Sequence, residues 1–327
     1  MTNPFVYNRP VEGRYFFNRE KIAEKIINLT VGHSQGNVWI TGERQVGKTS
    51  LLRYIYGNYQ KYVDKTILFD TDKVYDVVFI HSNVQDCLTD DGFFGVLWQD
   101  LKNKFDFKIR KTKNLMLDFE NVINDLYFNK KLYIVFLIDE FDAFIKTLAI
   151  DNPQKAYNFF NKMNRYLEKF PKINNNAFSC VFTANQTLKE VFEENNIPQA
   201  GSGINLQALE LEWFDEKQFA DLVLFLLKES DIKFTAKEIK TAFDIAKGYP
   251  YFSQKLLAIM FDEKINSDNK KDFIKTIKKE YAKEFANTIE AWNGPNMPKR
   301  TLNKLHTMMK DLKSDIKKIN DKNNVEI

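Results

Sequence analysis

The sequence is poor in the residues that cross-link or break chains. Cysteine occurs only at Cys87 and Cys180, far apart and without C-x-x-C spacing. That excludes a disulfide framework or a cysteine zinc site and fits a reducing compartment. Glycine and proline number just 12 and 8 in 327 residues, which points to a helix-rich chain with few long loops. No basic-then-apolar stretch opens the chain at Met1-Thr2-Asn3-Pro4-Phe5, so no signal peptide is read. The longest apolar run, Leu132 to Ile138, falls far short of the roughly 20 residues that span a bilayer. Together these absences predict a soluble, cytoplasmic protein with no membrane partner. Charge of one sign is also lacking. A net charge of +4 neither demands nor excludes nucleic acid, because a local basic patch matters more than the sum.

What is present is enough for a large core: 44% hydrophobic residues, with 29 phenylalanines. Wholesale disorder is excluded on that balance. Short apolar runs alternate with helical patterns in the first two thirds of the chain. Val38–Thr41, Val77–Ile80, Leu132–Ile138, Phe178–Phe182 and a segment near Leu206–Leu211 are expected strands. Helices are expected at Lys48–Tyr56, Phe93–Phe105, Leu115–Leu126 and Gln154–Lys169. Strands that alternate with helices at this spacing predict an α/β fold, a parallel sheet covered on both faces. After about Trp213 only helices are expected. The pairs Asp215/Gln218 and Thr235/Glu238 have capping-box spacing, and Gly248-Tyr249-Pro250 interrupts the pattern before an apolar helix at Phe252–Phe261. The expected organisation is an N-terminal segment and core over 1–213, an all-helical lid over 214–295, and a basic C-terminal helix and tail over 296–327.

Gly42-Glu43-Arg44-Gln45-Val46-Gly47-Lys48-Thr49 fits G-x-x-x-x-G-K-[ST] at every fixed position. The glycines let the backbone close around phosphates with its N–H groups inward, and the helix that follows adds its positive end. Lys48 is expected to neutralise the β- and γ-phosphates and the Thr49 hydroxyl to ligate Mg²⁺. A strand before and a helix after are the context the motif requires. The chain is therefore expected to bind ATP or ADP with magnesium. Leu132–Ile138 ends in Asp139-Glu140, a buried strand delivering two acids. Asp139 is expected to hold the magnesium and Glu140 to polarise the attacking water. Asp142, one turn on, reads more simply as a cap or ion-pair partner. The strand Phe178–Phe182 runs into Thr183-Ala184-Asn185. Either Asn185 or Thr183 could sense the γ-phosphate, and a helix cap by Asn185 or Thr187 is the competing reading.

At this point the sequence resembles the AAA+/STAND class of P-loop ATPases, from about residue 15 to 265. Phe16-Phe17-Asn18-Arg19-Glu20 resembles the F-x-G-R-E motif ahead of the first strand, with Asn18 in the glycine position. The loop and its continuation, Gly42 through Thr49 and on to Ser50-Leu51-Leu52, resemble G-x-R-x-x-G-K-T-S-L-L. Gly248-Tyr249-Pro250-Tyr251-Phe252-Ser253-Gln254 resembles the lid motif G-x-P-x-x-x-Q. The resemblance implies an ATPase core followed by a helical lid. It implies Arg19 near the adenine, Arg44, Gln45, Val46 and Ser50 within the nucleotide loop, and Pro250 against the nucleotide. One departure matters: there is no arginine between Arg165 and Arg300. Members of the class usually carry an arginine finger and a lid arginine, so slow hydrolysis is expected unless Arg165, Arg44 or a partner supplies that charge.

These readings favour a slow ATPase switch. Nucleotide state would set the lid and control self-association or the binding of a separate effector or sensor protein, with antiviral defence as an analogy. The alternative is a DNA-associated AAA+ ATPase, of the transposition-regulator or loader type, which assembles on duplex DNA. Its support is the basic run Lys299, Arg300, Lys304, Lys310, Lys313, Lys317 and Lys318. A nucleotide-stabilised scaffold is a third reading.

Overall fold

A computed structural model describes the chain apart from residues 1, 32–35, 64–66, 71–72, 108–110, 169–177, 199–205, 267–272, 294–296 and 324–327. At some further residues, among them Arg165, the backbone alone is described. The chain forms two compact units. One comprises Arg19–Gly42 and Lys48–Leu211, and the other Met1–Asn18, Glu43–Gly47 and Glu212–Ile327.

The first unit is built on a sheet. Its elements are α1 (Glu20–Val31), β1 (Asn37–Thr41), α2 (Lys48–Asn58), β2 (Ile67–Asp70), β3 (Lys73–Asn83), α3 (Asp90–Lys104), α4 (Leu115–Asn124), β4 (Leu132–Asp139), α5 (Phe141–Asp151), α6 (Pro153–Glu168), β5 (Phe178–Ala184), α7 (Leu188–Glu194) and β6 (Leu206–Glu210). The strand order is β2-β3-β4-β5-β1-β6. From β3 to β6 every pairing is parallel. β1 and β5 are buried along their whole length, and β4 from its second residue on. Side chains alternate between the two faces of a strand, so continuous burial means both faces are covered. The expected α/β architecture is thus observed.

One edge departs from the expectation of a wholly parallel sheet. β2 pairs antiparallel with β3. Only residues 71 and 72 separate the two strands, too few for the crossover a parallel pair needs. β3 is also much longer than its apolar segment Val77–Ile80 suggested. Neighbouring strands hold its polar ends: Asp76 is registered on Leu132 and Asn83 on Asp139.

The second unit is helical: α8 (Glu216–Leu226), α9 (Ala236–Ala246), α10 (Pro250–Asn266), α11 (Phe273–Trp292) and α12 (Lys299–Asn323). Both predicted capping boxes are present, Asp215 with Gln218 before α8 and Thr235 with Glu238 before α9. Each side-chain pair satisfies two backbone N–H groups that a helix start leaves unbonded. Phe219, Phe252, Leu256, Phe261, Tyr281, Phe285 and Leu305 form the centre of the core. One face of α12 is buried, with Leu305, Met309 and Leu312 inward. The N-terminal residues join this unit. Phe5 packs against Phe234 and Phe261, and the Asn3 amide donates to the Ala258 carbonyl at 3.0 Å.

Between α9 and α10 the chain turns on Gly248-Tyr249-Pro250. Lys247 and Gly248 both have positive φ, 54° and 76°, which ends α9 in a left-handed cap. A Cβ on Gly248 would lie 1.9 Å from the Phe214 carbonyl oxygen. Only glycine fits. Pro250 then opens α10, where its missing N–H costs no hydrogen bond.

Candidate functional site

In the sheet unit, the expected site residues stand where parallel strands end. β1 finishes one residue before Gly42, and Lys48 opens α2. The Lys48 side chain is buried; its ammonium donates to the Gly42 carbonyl at 2.7 Å and to the Asn185 Oδ1 at 2.9 Å. Asp139 ends β4 beside β5, whose Phe182 is registered on Ile138. Asp139 is 3% exposed, and its Oδ1 accepts from the Thr183 hydroxyl and, at 3.2 Å, from the Glu140 N–H. Thr183 Oγ1 in turn accepts from the same Glu140 N–H at 3.0 Å. Glu140 holds φ at 53°, a left-handed conformation that costs a non-glycine residue free energy. These hydrogen bonds maintain it at the end of the acidic strand.

The two candidate sensors therefore divide their tasks. Thr183 is committed to Asp139, while Asn185 reaches Lys48. The competing cap is made by Thr187, which forms a full capping box with Glu190 at the start of α7. That leaves the Asn185 side chain for the loop lysine. Asp142 is nearly fully buried; its Oδ2 accepts the Asn185 backbone N–H at 3.0 Å and lies 3.9 Å from Lys146. It is a support for Asn185, in line with the simpler reading of that acid.

His81, on β3, went unnoticed in the sequence. Burial lowers its pKa and outweighs the raising field of Asp139, with Arg53 adding to the lowering. A neutral imidazole therefore stands near the acids. Arg19 is also buried, and burial lowers its guanidinium to about 10. Its carbonyl accepts from Ile22 and Ala23 as α1 begins. Asn18 before it has φ of 61°. This accounts for asparagine where the resembling motif has glycine, since asparagine tolerates the left-handed region better than most residues.

Residues 43–47 belong to the helical unit. Gln45 and Gly47 have φ of 57° and 107°, and Val46 N–H donates to the Glu43 carbonyl at 3.2 Å, so the loop is a tight turn. Val46 is fully buried. The Arg44 carbonyl accepts a hydrogen bond from the Tyr249 hydroxyl, and the Arg44 guanidinium lies 5.6 Å from the Trp292 ring centre. Glu43 is buried; its carboxylate accepts from Lys304 and from Trp213 Nε1. Burial pushes the Glu43 carboxyl up, but hydrogen bonds from Lys304, its own backbone and Trp213 outweigh this and hold it below the usual glutamate value. Sequence reasoning assigned no role to Trp213 and none of its own to Glu43, and it placed Lys304 in the basic run offered to DNA. The only signal was an acid in an anion-binding motif. Pro250 stands one residue past Tyr249, at the first position of α10.

Two of these residues suit a magnesium ion: the Thr49 hydroxyl and the Asp139 carboxylate. Mg²⁺ is held by one or two carboxylates while waters and substrate phosphates complete its shell. Ser50, next to Thr49, is buried in α2.

The parallel sheet, the loop after β1 and the acids at the end of β4 form an α/β fold of the P-loop kind, followed by a helical region. The fold is similar to that of the Aeropyrum pernix ORC2 protein, solved in ADPNP–ADP complexes, with a TM-score of 0.58 and 17% identity. That match covers 85% of this chain and 71% of the other. Cdc6p of Pyrobaculum aerophilum matches with a TM-score of 0.54 and 14% identity, over 95% of this chain and 83% of that one. The Walker-type ATPase PABY2304 of Pyrococcus abyssi matches at 0.52 and 15%, over 93% and 92%. No protein-family model and no curated protein matches the sequence.

Proposed function

We propose that the protein binds ATP and ADP with magnesium and hydrolyses ATP slowly, as a nucleotide-controlled switch. One observation carries this reading. The loop lysine, Lys48, is joined to Asn185 at the tip of the strand beside the acidic strand, in an AAA+-type fold. In this reading Gly42 to Thr49 cradle the phosphates, Lys48 neutralises the β- and γ-oxygens, and Thr49 with Asp139 holds Mg²⁺. The bound ion would add charge neutralisation between the phosphates. Glu140 orients and deprotonates the attacking water, and Asn185 contacts the γ-phosphate. Arg19 borders the base, while Arg44, Gln45, Val46, Gly47, Ser50 and Pro250 line the rest of the nucleotide.

Slow turnover follows from the arginine-free stretch between Arg165 and Arg300, because an arginine finger is worth about 10³–10⁵ in rate. A STAND-type switch fits such chemistry. The segments 1–213, 214–295 and 296–327 would act as core, lid and C-terminal helix. Nucleotide exchange would change self-association or expose a face for a separate effector protein in the cytoplasm, as in a bacterial antiviral system. The test is particle size in solution with Mg-ADP, Mg-ATP and no nucleotide, for wild type, Lys48→Ala and Glu140→Gln. Glu140→Gln should lock the ATP-dependent form and Lys48→Ala should lose it. Equal sizes throughout would remove the switch, and turnover of tens per second by the protein alone would remove the slow step.

A second reading, assembly on duplex DNA, is favoured by exposed Lys310, Lys313 and Lys317 on α12. Two features weaken it. Asp311 and Asp315 are interleaved among these lysines, and Lys304 is turned to Glu43. ATP-strengthened DNA binding that falls steeply with salt would establish it.

A further inference from the structure

A carboxylate immediately after Gly42 is out of keeping with an anion site, because its charge repels the phosphates the loop would hold. Here it is answered from within the helical unit. Lys304, 261 residues away, donates to Glu43 Oε1, and Trp213 Nε1 donates to Oε2 at 3.2 Å. The Lys304 ammonium also lies 5.0 Å from the Trp213 ring centre, a favourable place for a cation over an indole. The neighbouring residue is gripped as well, with Tyr249 on the Arg44 carbonyl and Trp292 against its guanidinium. Four segments of one unit thus hold the loop: the approach to α8, the corner between α9 and α10, the end of α11, and α12.

We propose that Lys304 is a positioning residue for the phosphate loop: it neutralises and anchors Glu43, and so ties the C-terminal helix to nucleotide occupancy. This rests on the nucleotide reading above. If Lys304 favours nucleotide binding, bound nucleotide must favour the Lys304–Glu43 pair by the same factor, because coupling between two events is reciprocal. No lid arginine is required for this link. A lysine on the last helix reaches the loop instead of the phosphate.

The test uses the full chain and Mg-ADP and Mg-ADPNP as probes, with affinity read from tryptophan fluorescence, to which Trp213 and Trp292 contribute. Lys304→Met should weaken binding by roughly 10–100-fold, since it leaves a buried carboxylate uncompensated beside the anion. ADPNP, the more highly charged probe, should suffer more than ADP. Lys304→Arg, which keeps the charge, should stay within about threefold of wild type. The double variant Glu43→Gln/Lys304→Met should recover most of the loss, because a neutral pair repels nothing. That rescue separates positioning from a fold defect and still reports if Lys304→Met alone unfolds. Wild-type affinity in Lys304→Met, or a double variant no better than the single, overturns the proposal while the nucleotide reading stands. No binding of either probe by wild type would overturn both.

Discussion

Each unit holds a group of residues around its own part of the segment from Gly42 to Thr49, Gly42 and Lys48 in the sheet unit and Glu43 and Arg44 in the helical unit. The two groups are built on different principles. In the sheet unit, Lys48, Asp139, Thr183 and Asn185 stand at or just beyond the carboxyl ends of β1, β4 and β5, adjacent strands in one register. Parallel pairing places the strand ends side by side, as in open α/β sheets generally, and Lys48 joins them from the start of α2. In the helical unit, Glu43, Trp213, Tyr249 and Lys304 come from separate segments that share no register. Only the packing of α8 to α12 around Phe252, Tyr281 and Leu305 assembles them. The first group is suited to chemistry that must not drift. The second can be loosened or tightened by anything that repacks those helices.

The comparison can be broken first at the acids. Glu140→Gln should lower ATP turnover by about 10²–10⁴ while leaving nucleotide affinity nearly unchanged. A parallel fall in both would show that Glu140 holds the site together and is not the base. Lys48→Ala should raise the dissociation constants of Mg-ADP and Mg-ATP by roughly 100-fold, because the buried ammonium is the loop's own cation. Calorimetric titration reads this directly.

The helical group is challenged at its corner. Gly248→Ala puts a Cβ against the Phe214 carbonyl at a positive φ, and should cost about 2–4 kcal/mol in urea unfolding. A cost under about 0.5 kcal/mol would mean that the corner relaxes freely. In the sheet, Thr183→Val should cost about 1–3 kcal/mol, because Asp139 and the Glu140 N–H each lose a buried partner.

The smallest effect expected is with acid. Glu43 is held below the usual glutamate value in the folded chain, so the unfolded chain takes up its proton first. Its contribution to stability is complete above the ordinary value of about 4.3 and is lost as pH falls below it. Glu43→Gln should flatten that part of the acid unfolding curve, and an unchanged curve would show the carboxylate to be uncoupled.

Part of the site was legible in the chain because it is local. The phosphate loop is eight consecutive residues, and the acidic strand is an uninterrupted apolar run with acids at its end. Most of the sheet's parallel strands announced themselves by apolar runs at regular spacing, whereas β2 is only the short run Ile67-Leu68-Phe69 ahead of Asp70 and was passed over. Helix α5 was missed because it begins immediately after Glu140, where a left-handed residue turns strand into helix without a glycine or proline. The choice between Thr183 and Asn185 could not be made either: both are short polar residues at one strand tip, and which faces Lys48 depends on the pleat and on Thr187 making the cap.

Sequence by itself determined the α/β core with its helical continuation, the phosphate loop, the two acids, and the helix starts at Asp215 and Thr235. Each depends on residues within a few positions of one another. The tertiary structure decided the antiparallel edge, the pairing of Asn185 with Lys48, and the place of Lys304. Among the basic residues of the C-terminal segment, Lys304 carries the same charge as its neighbours and nothing in the chain marks it out. Only the burial of one face of α12 turns it toward Glu43, where a lysine from the end of the chain meets an acid beside its first glycine-rich turn.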